Sequence, residues 1–158
     1  MKLKGTKVQG PNIVDIVIPR NGGQFYAFKA QAVLDDDFDQ LCPKPKAPTI
    51  IKAGVGKVPD FEDVNYRREL DTYASKRMAY IVLKSLQATQ DLEWETVDMA
   101  NPNTWIGYET ELKESGFSQP EINLIVNGVM EANCLNESKL EEARQRFLAL
   151  QAVEQLTK

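Results

Sequence analysis

An α+β fold follows from three features of the chain: a small N-terminal antiparallel β module, then a Pro-rich extended arm, then a mainly α-helical C-terminal module of about four helices. The first feature is the β-branched run Ile13 to Ile18, closed by Pro19 and followed by Arg20-Asn21-Gly22-Gly23. The second is CPKPKAPTIIKAGVGKVP, from Cys42 to Pro59, where proline and glycine interrupt every regular pattern. The third is the span from Trp105 to Leu150, which spells out three successive helices with their caps. The expected division is a β module over residues 1–41, an arm or linker over 42–59 and a helical module over 60–158, the first and last joined in one compact domain.

Ile13 to Ile18 and Phe25 to Ala30 read as two strands, because β-branched and aromatic residues fit a pleated, half-buried surface. Asn-Gly and Gly-Gly tolerate the positive φ of a tight turn, so the two strands form an antiparallel hairpin, with a third strand placed around Gln31 to Leu34. In the arm, Pro43, Pro45 and Pro48 favour an extended polyproline-like backbone and exclude a helix or a central strand.

Asp60 or Asp63 caps a long helix that runs to about Ser85 or Gln87. Tyr66, Leu70, Tyr73 and Ala74 make one apolar stripe, and Met78 to Leu83 is apolar on nearly every side, so this stretch must be enclosed. After a break at Gln90 to Pro102, Asn103 or Thr104 caps a short helix carrying Trp105, Tyr108 and Leu112, and Gly116 ends it as the left-handed residue. Ser118-Gln119-Pro120-Glu121 has the form of a capping box, with Phe117 stapling to Ile122. Ile122, Ile125, Val126 and Val129 then repeat at i, i+3, i+4 and i+7, and Gly128 allows a close approach. Asn136 caps the last helix, in which Leu140, Ala143, Phe147 and Leu150 repeat the pattern.

Composition narrows the function. A chain of 158 residues at 42% hydrophobic can bury a core without staples. It has no histidine and two cysteines, which removes the commonest general base and most zinc frameworks. Cys42 and Cys134 lie outside any CxxC and follow no secretory leader, so reduced thiols in a cytoplasmic protein are expected. No run approaches the roughly 20 apolar residues of a membrane span. Lys and Arg number 9 against 6 acids in residues 1–60 but 10 against 17 in residues 61–158, which disfavours nucleic acid as a partner of the acidic rear.

No motif carries chemistry. Asp35-Asp36-Asp37-Phe38-Asp39 lacks the glycine and the closing glutamate of a calcium loop and reads as a solvated turn beginning a short helical turn. Gly54-Val55-Gly56-Lys57 lacks the upstream glycine and the Ser or Thr of a phosphate loop. Glu93 and Glu95, like Glu109 and Glu111, are two residues apart and do not face one another on a helix, whereas Glu109 and Lys113 can pair. The adjacent Ser75 and Lys76 diverge by about 100°. Catalytic, cofactor-binding and metal-binding residues are therefore all read as none. Trp94, Trp105 and Tyr108 suit core packing better than an interface. The partner-binding candidates are Trp105, Tyr108, Ile122, Ile125, Val129, Ile50 and Ile51.

One pattern extends over residues 60 to 150. Tyr66-Arg67-Arg68-Glu69-Leu70 through Tyr73, Arg77 and Tyr80 opens it, followed by Trp105, Glu111-Leu112 and Gly116-Phe117-Ser118. Glu131-Ala132-Asn133, Leu140-Glu141-Glu142-Ala143-Arg144 and Phe147-Leu148 complete it. The pattern resembles small tail-gene proteins of long-tailed bacteriophages, in particular the tail assembly chaperones. The resemblance implies a non-enzymatic protein of the host bacterial cytoplasm, free of cofactor, membrane and nucleic acid, whose partners are tape-measure or tail-tube proteins, with homo-oligomers as a further arrangement. The tape-measure protein would be kept soluble until the tube polymerises around it. The alternative is a structural virion protein, a head–tail connector or tail-tube-end component, whose Pro-rich arm clasps the next subunit.

Overall fold

Antiparallel hairpins and capped helices carry the chain. The computed structural model describes residues 1–156, with side chains described as far as Gln151. Among the described residues the strands are β1 (Lys2–Leu3), β2 (Thr6–Lys7), β3 (Ile13–Pro19), β4 (Phe25–Gln31), β5 (Thr49–Lys52) and β6 (Gly56–Pro59). The helices are α1 (Phe38–Leu41), α2 (Val64–Leu86), α3 (Tyr108–Glu114), α4 (Gln119–Ala132) and α5 (Glu137–Leu156), with a 3-10 turn at Trp105–Gly107 leading into α3. Strands pair in sequence order as three separate antiparallel hairpins. The chain divides into two units, one of residues 1–34, 85–92 and 118–158 and the other of residues 35–84 and 93–117, so the division cuts across the sequence boundaries at 41 and 59.

In the first unit, β3 and β4 pair with Ile16 opposite Phe28 and Ile18 opposite Tyr26. Alternation along each strand sends Ile16, Ile18, Phe28 and Ala30 inward and leaves Ile13, Val17 and Phe25 exposed. The third strand expected at Gln31 to Leu34 does not form; β4 itself ends at Gln31. Helix α4 covers the inner face with Ile122, Ile125, Val129 and Ala132, all buried. Gly128 makes this packing close, because a Cβ there would lie 2.4 Å from Cγ1 and Cδ1 of Ile16.

Polar groups fasten the ends of that layer. Asn133 Oδ1 accepts from the Val33 amide at 2.9 Å, while its Nδ2 donates to Ser85 Oγ at 2.7 Å. Asn12 Nδ2 donates to the Ala132 carbonyl at 3.1 Å. The outer edge of β4 is closed at Lys29, whose amide donates to Thr89 Oγ1 (2.8 Å) and whose carbonyl accepts from the same hydroxyl (3.1 Å). Glu121 dominates the capping box: its carboxylate accepts from the Ser118 amide at 2.7 Å and from Ser118 Oγ at 2.8 Å, and it pairs with Arg20. The reciprocal approach of Ser118 Oγ to the Glu121 amide is present but short of a hydrogen bond. Asn136 Oδ1 accepts from the Lys139 amide at 3.2 Å, which makes it the cap of α5.

Helix α4 ends in a Schellman turn, with Leu135 N–H donating to the Met130 carbonyl (2.8 Å) and Cys134 N–H to the Glu131 carbonyl (3.1 Å). Its left-handed position is taken by Cys134 at φ 56° rather than by glycine. The end of α3 is built alike, and there the expected Gly116 holds φ 93°.

The second unit is organised along α2. Asp63 is its cap, with Oδ1 accepting from the Tyr66 amide at 2.7 Å. Of the run expected to be enclosed, Ala79, Tyr80, Val82 and Leu83 are buried, but Met78 is exposed. Trp105, Tyr108 and Leu112 enter the same unit's core. Thr104 does not cap through its side chain; its hydroxyl donates instead to the Asn101 carbonyl (2.8 Å) and accepts from the Asp98 amide (2.9 Å).

The extended arm needs correction. Residues 49–59 are a hairpin, β5 paired with β6 from Thr49 opposite Pro59 to Lys52 opposite Gly56. Gly54 at φ 77° and Gly56 at φ 91° make its turn, which is also what the apparent phosphate-loop glycines do. The Asp60 amide donates to the Pro48 carbonyl at 2.6 Å and closes the open end. Proline at the strand ends is compatible with a two-stranded sheet, where edges need no donor.

Gly128→Ala is expected to lower stability by about 1–3 kcal/mol through overpacking against Ile16, in spite of the better helix propensity of alanine. An unchanged or higher melting temperature would show that α4 does not sit so close to β3. Cys134→Gly should raise stability by about 1 kcal/mol, because only the cysteine pays for left-handed backbone there; a fall in melting temperature would contradict the assigned turn.

Candidate functional site

The densest set of chemical side chains lies where residues 35–39 meet α2. Tyr73, Arg77, Tyr80 and Lys84 recur at three- and four-residue spacing, so α2 presents them as one row. Arg77 grips Asp36 with both terminal nitrogens, Nη1 donating to Oδ1 at 2.6 Å and Nη2 to Oδ2. The Tyr80 hydroxyl donates to Asp37, and Lys84 Nζ lies 3.5 Å from the same carboxylate. The Tyr73 hydroxyl donates to Asp39 at 2.8 Å. Phe38, fully buried, is held among Tyr73, Tyr80 and Trp105, with ring centroids 5.1, 5.5 and 5.9 Å away, and the Arg77 guanidinium sits 4.8 Å from its ring centre.

Charge and burial follow from this geometry. The Arg77 hydrogen bonds hold the Asp36 carboxyl below its ordinary 3.8, and Asp36 in turn raises Arg77. The Tyr80 hydrogen bond lowers Asp37, while burial, followed by that same bond, pushes the Tyr80 phenol up to about 12. The Asp39 hydrogen bond raises Tyr73. As expected, these acids lie on an exposed turn that leads into the short helix α1, and three of them in addition hold the row on α2, so the cluster binds its own loop to its own helix.

Glu111 is a second brace. Its buried carboxylate accepts from the Glu95 amide at 2.5 Å and from the amide (3.0 Å) and hydroxyl of Thr96. Burial alone would raise it, but the Thr96 and Glu95 donors outweigh burial and lower it. Burial also drives the Tyr108 phenol upward, with Glu109 adding to the effect. Glu109 accepts from Tyr108 at 3.2 Å, and no ion pair between Glu109 and Lys113 closes among the described residues.

Beside the clamp, Cys42, Pro43 and Pro45 share with Arg68, Thr72, Tyr73 and Lys76 an open cavity of about 380 Å³. The front of the proline segment thus lies against α2 of its own chain. Both cysteines are free thiols. Among the described residues no group of three or more His, Cys, Asp or Glu is arranged to hold a metal, and no helix is long and apolar enough to cross a membrane.

The partner-binding candidates separate by burial and by unit. Trp105 and Tyr108 are buried in the second unit, and Ile122, Ile125 and Val129 in the first, so all five make core and could meet a partner only if their unit opened. Ile50 and Ile51 remain exposed on β5, Ile51 at 80%. The aspartate clamp was missed, although the row Tyr73, Arg77, Tyr80, Lys84 is a legible stripe of donors that needs acceptors. No family model, curated protein or solved structure matches this chain.

Stability should fall at both ends of the pH range. Asp36 and Glu111 are lowered in the folded chain, so their contribution is complete above the ordinary carboxylate range and is lost as pH falls below about 4. Tyr80 is raised, so its contribution is complete below pH 10 and is lost as pH rises through about 12. Tyr80→Phe is expected to cost about 0.5–1.5 kcal/mol at neutral pH. It should also flatten the alkaline fall in melting temperature, leaving the part due to Tyr73 and Tyr108; a fall of undiminished size would assign it to another group.

Proposed function

We propose that this chain is a non-enzymatic morphogenesis factor of a long-tailed bacteriophage, a tail assembly chaperone that binds the tape-measure protein in the host cytoplasm and keeps it soluble before tube polymerisation. The residue pattern from Tyr66 to Leu148 supplies the resemblance. The observation that carries the reading is the apolar surface of the two larger hairpins: Ile13, Val17 and Phe25 on β3 and β4, and Ile50 and Ile51 on β5, are all exposed. Two-stranded hairpins are marginal alone, and exposed aliphatic and aromatic side chains on them mark surfaces that gain from a partner. An acidic exterior, at net charge −4, keeps such a chain and its cargo in solution.

Co-expression with a tape-measure protein tests it. The tape-measure protein should stay soluble with the intact chain and precipitate when Ile50 and Ile51 are both changed to aspartate, and the chain should be absent from purified particles. Stoichiometric presence in particles would establish the structural virion component instead. A chain that binds no tail protein and occurs in no particle would end both readings.

A further inference from the structure

Helix α5 is exposed along its whole described length, from Glu137 to Gln151, with Leu140, Phe147, Leu148 and Leu150 each at least 45% accessible. A helix of this length is marginal in water unless one face is covered. Leu140, Ala143, Phe147 and Leu150 follow the three-four-three spacing of a coiled-coil seam, with Leu140 and Phe147 at a and Ala143 and Leu150 at d. In that frame the flanking g and e positions hold Lys139, Arg144, Arg146 and Gln151, with a single acid, Glu137, at the e position on the first residue of α5, so the border is net basic even though the chain as a whole is acidic. The acids Glu141 and Glu142 lie at b and c, away from it. They form the exposed pairs Arg144 to Glu141 (2.9 Å) and Lys139 to Glu142 (3.5 Å), which contribute little and leave the cations able to reach across the seam.

This charge pattern selects the occupant. A second copy in parallel register would set Lys139 against Arg144, and an antiparallel copy would set basic flank against basic flank, so self-pairing is opposed either way. We propose that α5 is a docking helix that pairs through Leu140, Ala143, Phe147 and Leu150 with an amphipathic helix of another protein, whose seam-flanking positions are acidic. Leucine or isoleucine on the partner fills the seam, and its glutamates or aspartates meet Lys139, Arg144 and Arg146. The inference holds whether or not the chain serves a phage tail.

The test uses the full chain and two synthetic three-heptad peptides, alike in carrying isoleucine with one asparagine at a and leucine at d, but with glutamate at every e and g in one and lysine in the other. Fluorescence anisotropy should show the glutamate peptide binding at least tenfold more tightly than the lysine peptide, and high salt should narrow the difference. Phe147→Ser should weaken the glutamate peptide at least tenfold, and Arg144→Glu with Arg146→Glu should reverse the preference. Both sites are on the exposed helix, and far-ultraviolet circular dichroism should confirm that the variants stay folded. Equal binding of the two peptides, no binding of the glutamate peptide, or binding indifferent to both variants would overturn the proposal. So would a dimer of the chain alone that Phe147→Ser dissociates, since the occupant would then be a second copy.

Discussion

Burial of Phe38 is the constraint on which the second unit depends. A ring with no access to solvent must be enclosed by other side chains, and here Tyr73, Tyr80 and Trp105 come to it from α2 and from the turn before α3. Those contacts bring the acids on either side of Phe38 against Tyr73, Arg77, Tyr80 and Lys84. The loop cannot place its phenylalanine without placing Asp36, Asp37 and Asp39 as well. The fork of Arg77 on Asp36, stacked over Phe38, joins the apolar and polar halves of one contact.

Both units solve the same problem, which is to end secondary structure inside protein without leaving polar groups bare. Among the described residues no buried side-chain nitrogen or oxygen lacks a partner. Asn133 does this in the first unit by serving the Val33 amide and the Ser85 hydroxyl together, and Glu111 does it in the second by collecting the donors of Glu95 and Thr96. A lost acceptor at either place would leave part-buried donors without their partner, so each of these two side chains supports more than one element.

The polar residues with perturbed acidity are engaged within the chain, whereas Ile13 and Val17 of β3, Ile50 and Ile51 of β5 and the apolar residues of α5 from Leu140 to Leu150 remain exposed, Ala143 included. Exposed apolar stripes on short hairpins and on a long helix are the features that association with another protein would remove from water. The basic border of the α5 seam adds a selective element, since it says which sign of charge the covering surface carries.

Helix punctuation was legible in the sequence alone. Asp63 and Asn136 accept from amides, Gly116 takes up a left-handed angle and Glu121 accepts from the Ser118 amide, all within a few residues, so the rules that identify them need no knowledge of the rest of the chain. The hairpin of residues 13–31 was legible for the same reason, and that of residues 49–59 was obscured because prolines at its ends outweighed the glycines of its turn. Burial belongs to the tertiary structure. Ile122, Ile125 and Val129 and the series Leu140, Ala143, Phe147 and Leu150 show equivalent apolar spacing, yet α4 lies on the β3–β4 sheet and α5 is exposed from Glu137 to Gln151. Spacing determines that a helix has an apolar face; which surface covers that face depends on contacts between residues more than a hundred positions apart, as between Ile16 and Gly128, and local sequence carries no record of them.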